Sequence, residues 1–257
     1  VDGSASVMLL GDSHLNSIDK LIQKRLYDLG IGSYSVFLLS CVPIQGLYLA
    51  SLDSSVGCDE YNQSMIEYAR ATGIHTIILV ARFPIYLNGN RYNNGEGGVE
   101  FGEPAHVDTI GEPRSGSYWD DEARIERVSR QYFDELTSLS EEFNVIVFEP
   151  TPEVGWNVPI HFTKLTLWGD NSQITHSFEA FRQRIQRFDD ILNRIPNPNL
   201  YRFSVADTLC NENTSRCVAA DDRGIFYQDS DHLSILGASL VVDDFVANLP
   251  KPLRTQQ

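Results

Sequence analysis

The chain has 257 residues, 42% of them hydrophobic and 21% charged, with 20 Lys and Arg against 35 Asp and Glu for a formal net charge of −15. This composition is typical of a globular protein with a substantial core, so it argues against global disorder and favours one large domain over two small ones. The negative charge argues against nucleic acid or an anionic membrane surface as the main partner, but it is compatible with a neutral sugar or a lipid-linked glycan.

Strand-like and helix-like segments alternate along the sequence. In chain order we predict strand Ser6–Leu10, helix His14–Leu29, strand Tyr34–Leu39, helix Asp59–Thr72, strand His75–Ala81, helix Asp121–Phe143, strand Asn144–Phe148, helix Thr175–Arg194, strand Leu200–Val205 and helix His232–Asn248. This alternation predicts an α/β fold with three layers, α/β/α, around a central parallel sheet. Right-handed crossovers then bring all strand carboxyl ends to one edge, where the active residues of such folds gather.

Two connecting segments are unusually long. Phe83–Ser117 is rich in Gly, Asn and Pro and has no helical period. We expect it to form a small inserted subdomain or a lid, with a disordered surface excursion as the alternative. Glu149–Asp170 is expected to be a long loop. No repeat or low-complexity linker interrupts the sequence, so residues 1–257 are expected to form a single domain.

The apolar runs, such as Thr76–Ala81 and Val145–Phe148, are far too short to cross a bilayer. Residues Val1–Ser6 are small and polar, unlike a signal peptide. Two interpretations are therefore open at this point: a cytoplasmic protein, or a piece excised from a longer chain.

The four cysteines form two local pairs, Cys41 with Cys58 and Cys210 with Cys217. Neither pair has the C-x-x-C spacing of a zinc site, and no metal constellation is evident. We predict two disulfides, each closing a short loop, and hence an oxidising compartment; the alternative is four reduced cysteines, some buried as small hydrophobic residues. No Gly-rich phosphate loop is present, so nucleotide binding is not expected.

The strongest local motif is Gly11-Asp12-Ser13-His14, where the first strand ends and the first helix begins. Gly11 permits the tight turn, and the serine hydroxyl is exposed at the sheet edge. The unpaired N–H groups of the helix start can stabilise an oxyanion there. The alternative is a helix cap without chemistry, because Asp and Ser are common caps.

A second motif, Asp229-Ser230-Asp231-His232, lies before the last predicted helix. A serine nucleophile needs a base, and that base needs a carboxylate to orient it. One turn can present Asp229 and His232 in the same direction, so His232 would take the proton of Ser13 and Asp229 would hold the other imidazole nitrogen. The alternative, compatible with the first, is that Asp231 and Ser230 cap the last helix.

Together these motifs resemble those of the SGNH, or GDSL, hydrolase superfamily. More narrowly, the chain is similar to the SGNH domain at the C-terminus of bacterial acyltransferase-3 proteins. That similarity rests on Leu10-Gly11-Asp12-Ser13-His14, Cys41-Val42-Pro43, Ile78-Leu79-Val80-Ala81-Arg82, Glu149–Gly155, the Cys210 and Cys217 pair, and Tyr227–Ala238.

The resemblance implies a periplasmic SGNH domain joined to an N-terminal membrane acyltransferase domain. Such proteins O-acetylate surface glycans such as lipopolysaccharide O-antigen, with cytoplasmic acetyl-CoA as the ultimate acetyl donor through the membrane part. This domain itself would bind no cofactor. Two rivals are a carbohydrate O-acetyl esterase with the same residues, and a glycan-binding or docking module with a vestigial triad.

The sequence departs from the family where it supplies further oxyanion donors. Gly46 follows the second strand and is a candidate donor, but Val80-Ala81-Arg82-Phe83 replaces the usual G-x-N-D after the third. Arg82 is expected either to stabilise an oxyanion or bind the glycan, or to form a salt bridge at the strand end. A missing donor would slow hydrolysis, which suits a transferase.

The remaining candidates are weaker. His14 is expected either to line the pocket or to cap or pack, whereas His161 and His176 are expected at the surface. Five aromatic residues are candidates for stacking on sugar rings, with core packing as the alternative: Trp119, Trp156, Trp168, Tyr86 and Tyr92.

Overall fold

The computed structural model describes residues 5–51, 57–111, 118–170 and 172–254. Its strands are β1 (Val7–Gly11), β2 (Ser33–Phe37), β3 (Leu47–Leu49), β4 (Thr76–Val80), β5 (Val107–Thr109), β6 (Asn144–Phe148), β7 (Ile174–Ser177), β8 (Leu200–Phe203), β9 (Cys210–Asn211), β10 (Arg216–Asp221) and β11 (Gly224–Ile225). Its helices are α1 (Ser13–Asp28), α2 (Cys58–Thr72), α3 (Phe83–Asn88), α4 (Glu122–Glu142), α5 (Val158–Leu167), α6 (Phe178–Arg194), α7 (Val205–Leu209), α8 (Ile235–Ala247) and α9 (Lys251–Arg254).

Five strands form the central sheet in the order β2-β1-β4-β6-β8, and all neighbouring pairs are parallel. These are the five predicted strands, so the predicted parallel sheet is confirmed. Because every strand runs the same way, the ends of β1 and β4 lie side by side, with Gly11 opposite Val80. This juxtaposition sets the position of the candidate site.

Alternate residues of the central strands pack into two separate cores. On one face Leu9 and Ile78 pack with the apolar sides of α1 and α8. On the other, Met8 and Ile77 pack with α2, α4 and α6. Burial on both faces explains why these strands have nearly continuous apolar sequences, and it confirms the three-layer α/β/α architecture.

Both predicted disulfides are present, Cys41 with Cys58 and Cys210 with Cys217. The second joins opposite positions of β9 and β10, in a small antiparallel sheet of β7, β9, β10 and β11 that sequence patterning did not predict.

Four predicted segments contain elements, or begin at residues, that differ from the prediction. The segment predicted as Phe83–Ser117 without helix contains α3, because five successive residues of this short helix are buried and leave no polar face to give a period. Residues 112–117 lie outside the described part of the chain. The expected loop Glu149–Asp170 contains α5, whose start is capped by Asn157, with Pro159 in its first turn.

The predicted helix Thr175–Arg194 begins as strand β7, which pairs with β10, and becomes helix α6 only after Ser177 caps it. The last helix begins at Ile235 rather than at His232. Among the described residues, no helix combines the length and apolarity that a membrane span requires.

Candidate active site

Asp12, which is fully buried, fixes the start of α1 beside the end of β4. Its Oδ1 accepts a hydrogen bond from the N–H of His14 at 2.8 Å and so caps the helix. Its Oδ2 accepts from the N–H of Arg82 at 3.1 Å and from the Tyr86 hydroxyl at 2.9 Å. Burial, reinforced by the charge of Asp12, raises the pKa of Tyr86 well above its ordinary value. These bonds hold Ser13 at the carboxyl edge of the sheet.

Gly11 is required by close packing between β1 and its neighbours. A Cβ at this position would lie 2.0 Å from the carbonyl oxygen of Val80 and 2.7 Å from the Cβ of Leu15. A side chain here would therefore push strand β4 and helix α1 away from β1, which would displace Ser13.

The predicted base and its carboxylate lie on residues 227–233, here called the 227–233 loop. The segment after β6 supports this loop, because Val158 N–H donates to the carbonyl of Asp229 at 3.0 Å and Val154 N–H donates to that of Ser230 at 2.9 Å. Helix α8 is capped by Ser234, so the prediction that Asp231 or Ser230 caps it was wrong.

The structure brings Ser13, His232 and Asp229 together. Ser13 Oγ lies 2.7 Å from Nε2 of His232, and Nδ1 of His232 lies 2.8 Å from Oδ2 of Asp229. Asp229 Oδ1 also accepts the N–H of His232 at 2.8 Å. Burial lowers the pKa of His232, but the hydrogen bond to Asp229 and nearby carboxylate charges outweigh it, so this pKa is raised above its ordinary value.

A second carboxylate, Asp231, lies close to the imidazole of His232, with Oδ2 3.6 Å from Nδ1. Its Oδ2 lies 3.1 Å from Nε2 of His14 and 3.2 Å from Nη1 of Arg82. Burial raises the pKa of Asp231, but these two partners outweigh it and hold the pKa well below its ordinary value. His14 is buried, with its ring centroid 4.7 Å from that of His232. Of the two predictions for His14, packing describes its position.

Arg82 is held in a buried network of ion pairs. Its Nη2 lies 2.5 Å from Oε2 of Glu100, and its Nε donates to Oε1 of Glu153 at 2.6 Å. Glu153 also accepts from Nε of Arg184 at 2.6 Å. Of the two predictions for Arg82, the salt bridge at the strand end describes its contacts, although the residue also lines the cavity over Ser13.

Gly46 does not lie at the site. Its N–H donates to Oδ1 of Asp59 at 2.5 Å, and Gly46 is not among the residues that line the cavity. Ser40, which follows β2, lines the cavity instead, with a left-handed φ of 62°. We did not predict Ser40, because a glycine is expected at such a backbone position; its place between β2 and Cys41 was the available signal.

The cavity over Ser13 and His232 has a volume of about 240 Å³. Ile85 and Tyr86 of α3 and Glu103, Pro104 and Ala105 before β5 form one of its walls. The described part of the predicted insertion therefore builds the site. Ser13 is the first residue of α1, so its backbone N–H has no hydrogen-bond acceptor within the helix.

One group of side chains in the described part of the chain has the composition of a metal site. Ligand atoms of His14, Asp231 and His232 lie within 4.8 Å of one another. A cation there would have to displace Arg82 from Asp231 and take a nitrogen of His232 from Ser13 or Asp229. The contacts of this group therefore favour an ion-pair network over a metal site.

The other predicted residues lie elsewhere. His176 is fully buried on β7, so the surface prediction was wrong, whereas His161 is half-buried with its ring stacked on Trp156. Trp168, directly after the end of α5, is 79% exposed. Trp119 and Tyr92 line a second, larger cleft.

A family model described as "SGNH domain (fused to AT3 domains)" matches residues 1–247. Comparison with curated proteins gave no match. In fold, the chain resembles the periplasmic domain of the lipopolysaccharide acetyltransferase of Salmonella ser. Paratyphi A, with a TM-score of 0.63 and 15% identity over 97% of this chain and 85% of that one.

A second solved structure is the C-terminal catalytic domain of peptidoglycan O-acetyltransferase A of Streptococcus pneumoniae, with a methylsulfonyl adduct. It is 12% identical over 98% of this chain and 96% of that one, at a TM-score of 0.41 that carries no weight for the fold.

Proposed function

The chain belongs to the family of SGNH domains that are fused to AT3 domains, and from that premise we propose that it carries an acetyl group on Ser13 and transfers it to a hydroxyl of a bacterial surface glycan such as O-antigen. The observation that carries the proposal is the 2.7 Å distance between Ser13 Oγ and His232 Nε2, two residues that line the same cavity. A serine hydroxyl gains nucleophilicity only when a base can take its proton.

In the first half of the reaction, Ser13 Oγ attacks the carbonyl carbon of the acetyl donor while Nε2 of His232 takes the hydroxyl proton. The intermediate collapses as His232 returns that proton to the leaving group, and an ester on Ser13 remains. Asp229 fixes the imidazole through Nδ1 and stabilises the imidazolium that forms.

In the second half, a sugar hydroxyl takes the place of the departed group. His232 takes the proton of this hydroxyl, its oxygen attacks the ester carbonyl, and Ser13 leaves and recovers a proton from His232. Water in place of the sugar gives the rival esterase reaction with the same residues.

Backbone N–H groups are the proposed oxyanion donors. Ser13 would supply one from the first turn of α1, and Ser40, which also lines the cavity and has a left-handed backbone, would supply another. Gly46 is not included because its N–H already donates to Asp59. The positive charge of Arg82, although paired with nearby carboxylates, would also favour the oxyanion.

We place this domain in the periplasm, next to a fused membrane acyltransferase domain that supplies acetyl groups originating from acetyl-CoA. Two disulfides among the described residues support an oxidising compartment, and the family description supports the fusion.

The test is incubation of the chain with p-nitrophenyl acetate, followed by p-nitrophenolate release and intact-protein mass spectrometry. We expect the native chain to gain one acetyl group on Ser13 and both Ser13→Ala and His232→Ala to lose release and adduct. Tyr27→Ala, an exposed change on α1, is the control. Release that persists in Ser13→Ala would contradict the proposal.

A further inference from the structure

A second cleft, of about 610 Å³, lies between α3, α4 and α6. Trp119 lies in its wall, and its lining includes five charged side chains and five side-chain amides, the amides being Asn88, Asn90, Asn93, Gln183 and Gln186. We call this the amide cleft.

The amide cleft adjoins the cavity over Ser13, because Arg91 lines both. At about 240 Å³ the cavity is smaller than the 300–1,000 Å³ or so that is common for ligand pockets, whereas the cleft lies within that range. An acceptor larger than one sugar residue must therefore extend out of the cavity.

Buried ion pairs join the two spaces. Arg184 lines the amide cleft and donates to Glu153, which is 1% exposed. Glu153 accepts a hydrogen bond from Arg82. Nη1 of Arg82 lies 3.2 Å from Oδ2 of Asp231, which is close to the imidazole of His232. Without Glu153, the buried guanidinium of Arg184 would have no carboxylate partner among the described residues, so this chain of ion pairs holds the cleft at a fixed position relative to Ser13.

The lining of the cleft matches the chemistry of a carbohydrate. Side-chain amides both donate and accept hydrogen bonds, as neighbouring sugar hydroxyls do, and an indole offers an apolar face for the C–H side of a sugar ring. Trp119 is half-buried, so its ring is held while part of it stays accessible. The charged residues of the lining have both signs, with Arg187 3.5 Å from Glu122.

We propose that the amide cleft binds the acceptor glycan through sugar residues adjacent to the one that is acetylated. This assignment rests on the proposed function, since it names where the acceptor of that reaction lies. The cleft would thereby decide which glycan is modified, while Ser13, His232 and Asp229 carry out the transfer.

The test is calorimetric titration with the surface polysaccharide of the bacterium that encodes the chain, after mild alkali has removed its O-acetyl groups. Binding is measured for Ser13→Ala and for two double variants, in which Trp119→Ala or Gln183→Ala is added to Ser13→Ala. Gln183 is exposed on α6, so its replacement does not disturb the core. Trp168→Ala is the matched control, because Trp168 is exposed and lies outside the cleft.

We expect Trp119→Ala and Gln183→Ala to raise Kd, the first by about tenfold, and Trp168→Ala to leave it unchanged. Equal Kd values in all variants, or no binding by Ser13→Ala alone, would overturn the assignment. If Ser13 is acetylated by p-nitrophenyl acetate but the cleft variants bind normally, this inference fails and the proposed function stands. If Ser13 resists acetylation while Trp119→Ala still weakens binding, the proposed function fails and this inference stands.

Discussion

Asp231 Oδ2 lies 3.6 Å from Nδ1 of His232, so the 227–233 loop presents a second carboxylate to an imidazole that Asp229 already holds at 2.8 Å. The two carboxylates differ in their surroundings. Asp229 is partly open to solvent, whereas Asp231 is buried between His14 and Arg82. Asp229 is therefore the residue expected to orient the base, and Asp231 adds negative charge close to the imidazole of His232.

The first prediction concerns Asp229→Asn. His232 accepts a proton only when neutral, so the rate of Ser13 acylation falls as the pH drops through the raised pKa of His232. Removing the Asp229 charge lowers that pKa and moves the acid limb to lower pH. Loss of the oriented tautomer lowers kcat/KM by about 10²–10⁴. The pH profile with p-nitrophenyl acetate measures both effects, and an unmoved acid limb would show that Asp231 alone sets this pKa.

The second prediction concerns His176, whose two ring nitrogens are buried without a hydrogen-bond partner among the described residues. Burial, with the nearby charge of Arg216, lowers the pKa of His176 to about 4. The unfolded chain takes up this proton near pH 6.5 and the folded chain does not, so stability is full above pH 6.5 and declines as the pH falls towards 4. The free energy of unfolding lost is about 3 kcal/mol.

Urea unfolding between pH 4 and pH 7 checks this, with His176→Leu expected to show the smaller decline. His161→Leu is the control, because His161 is only half-buried. Equal declines in the native chain and His176→Leu would show that other groups account for the acid sensitivity.

The third prediction concerns Ser40, whose φ of 62° is in the left-handed region that glycine adopts without strain. Ser40→Val places a β-branched side chain there and should lower the free energy of unfolding by about 1–3 kcal/mol. Ser40→Gly should leave it unchanged or raise it by up to about 1 kcal/mol, since relief of strain is offset by the freedom of glycine in the unfolded chain. Denaturant titration of both variants decides, and a tolerated valine would contradict the account.

The fourth prediction concerns the disulfide between Cys41 and Cys58, which are 17 residues apart. Its removal by the double change to alanine should lower the free energy of unfolding by about 3 kcal/mol, chiefly through freedom gained by the unfolded chain. Cys210 and Cys217 are only 7 residues apart, so removing that pair should cost less, about 2 kcal/mol. Thermal unfolding of both variants gives the comparison, and the opposite order would contradict this ranking.

Features with local sequence signals could be predicted. The strands of the central sheet are apolar runs closed by turns, and the structure confirms all five. Ser13 follows a strand directly, so the sequence predicts it at the sheet edge. Asp229 and His232 lie three residues apart, so one turn can present both side chains in the same direction. The pairing of the four cysteines followed from their spacing, and the structure confirms it.

Features that depend on distant partners could not be predicted. Strand β7 forms because β10 pairs with it, which the polar run from Thr175 onwards does not reveal. His176 is buried for the same reason. The sequence leaves two interpretations of Arg82 open, and the choice between them depends on where the fold places Glu100, 18 residues away, and Glu153, 71 residues away.

We propose that Ser13 transfers the acetyl group to a surface glycan. The most direct test is proton NMR of the surface polysaccharide from the bacterium that encodes the chain, with Ser13→Ala introduced and protein abundance checked by immunoblot. We expect the O-acetyl signals to disappear in Ser13→Ala and to persist in the Tyr27→Ala control. O-acetylation that persists in Ser13→Ala would contradict it and leave a domain that binds the glycan without carrying the acetyl group.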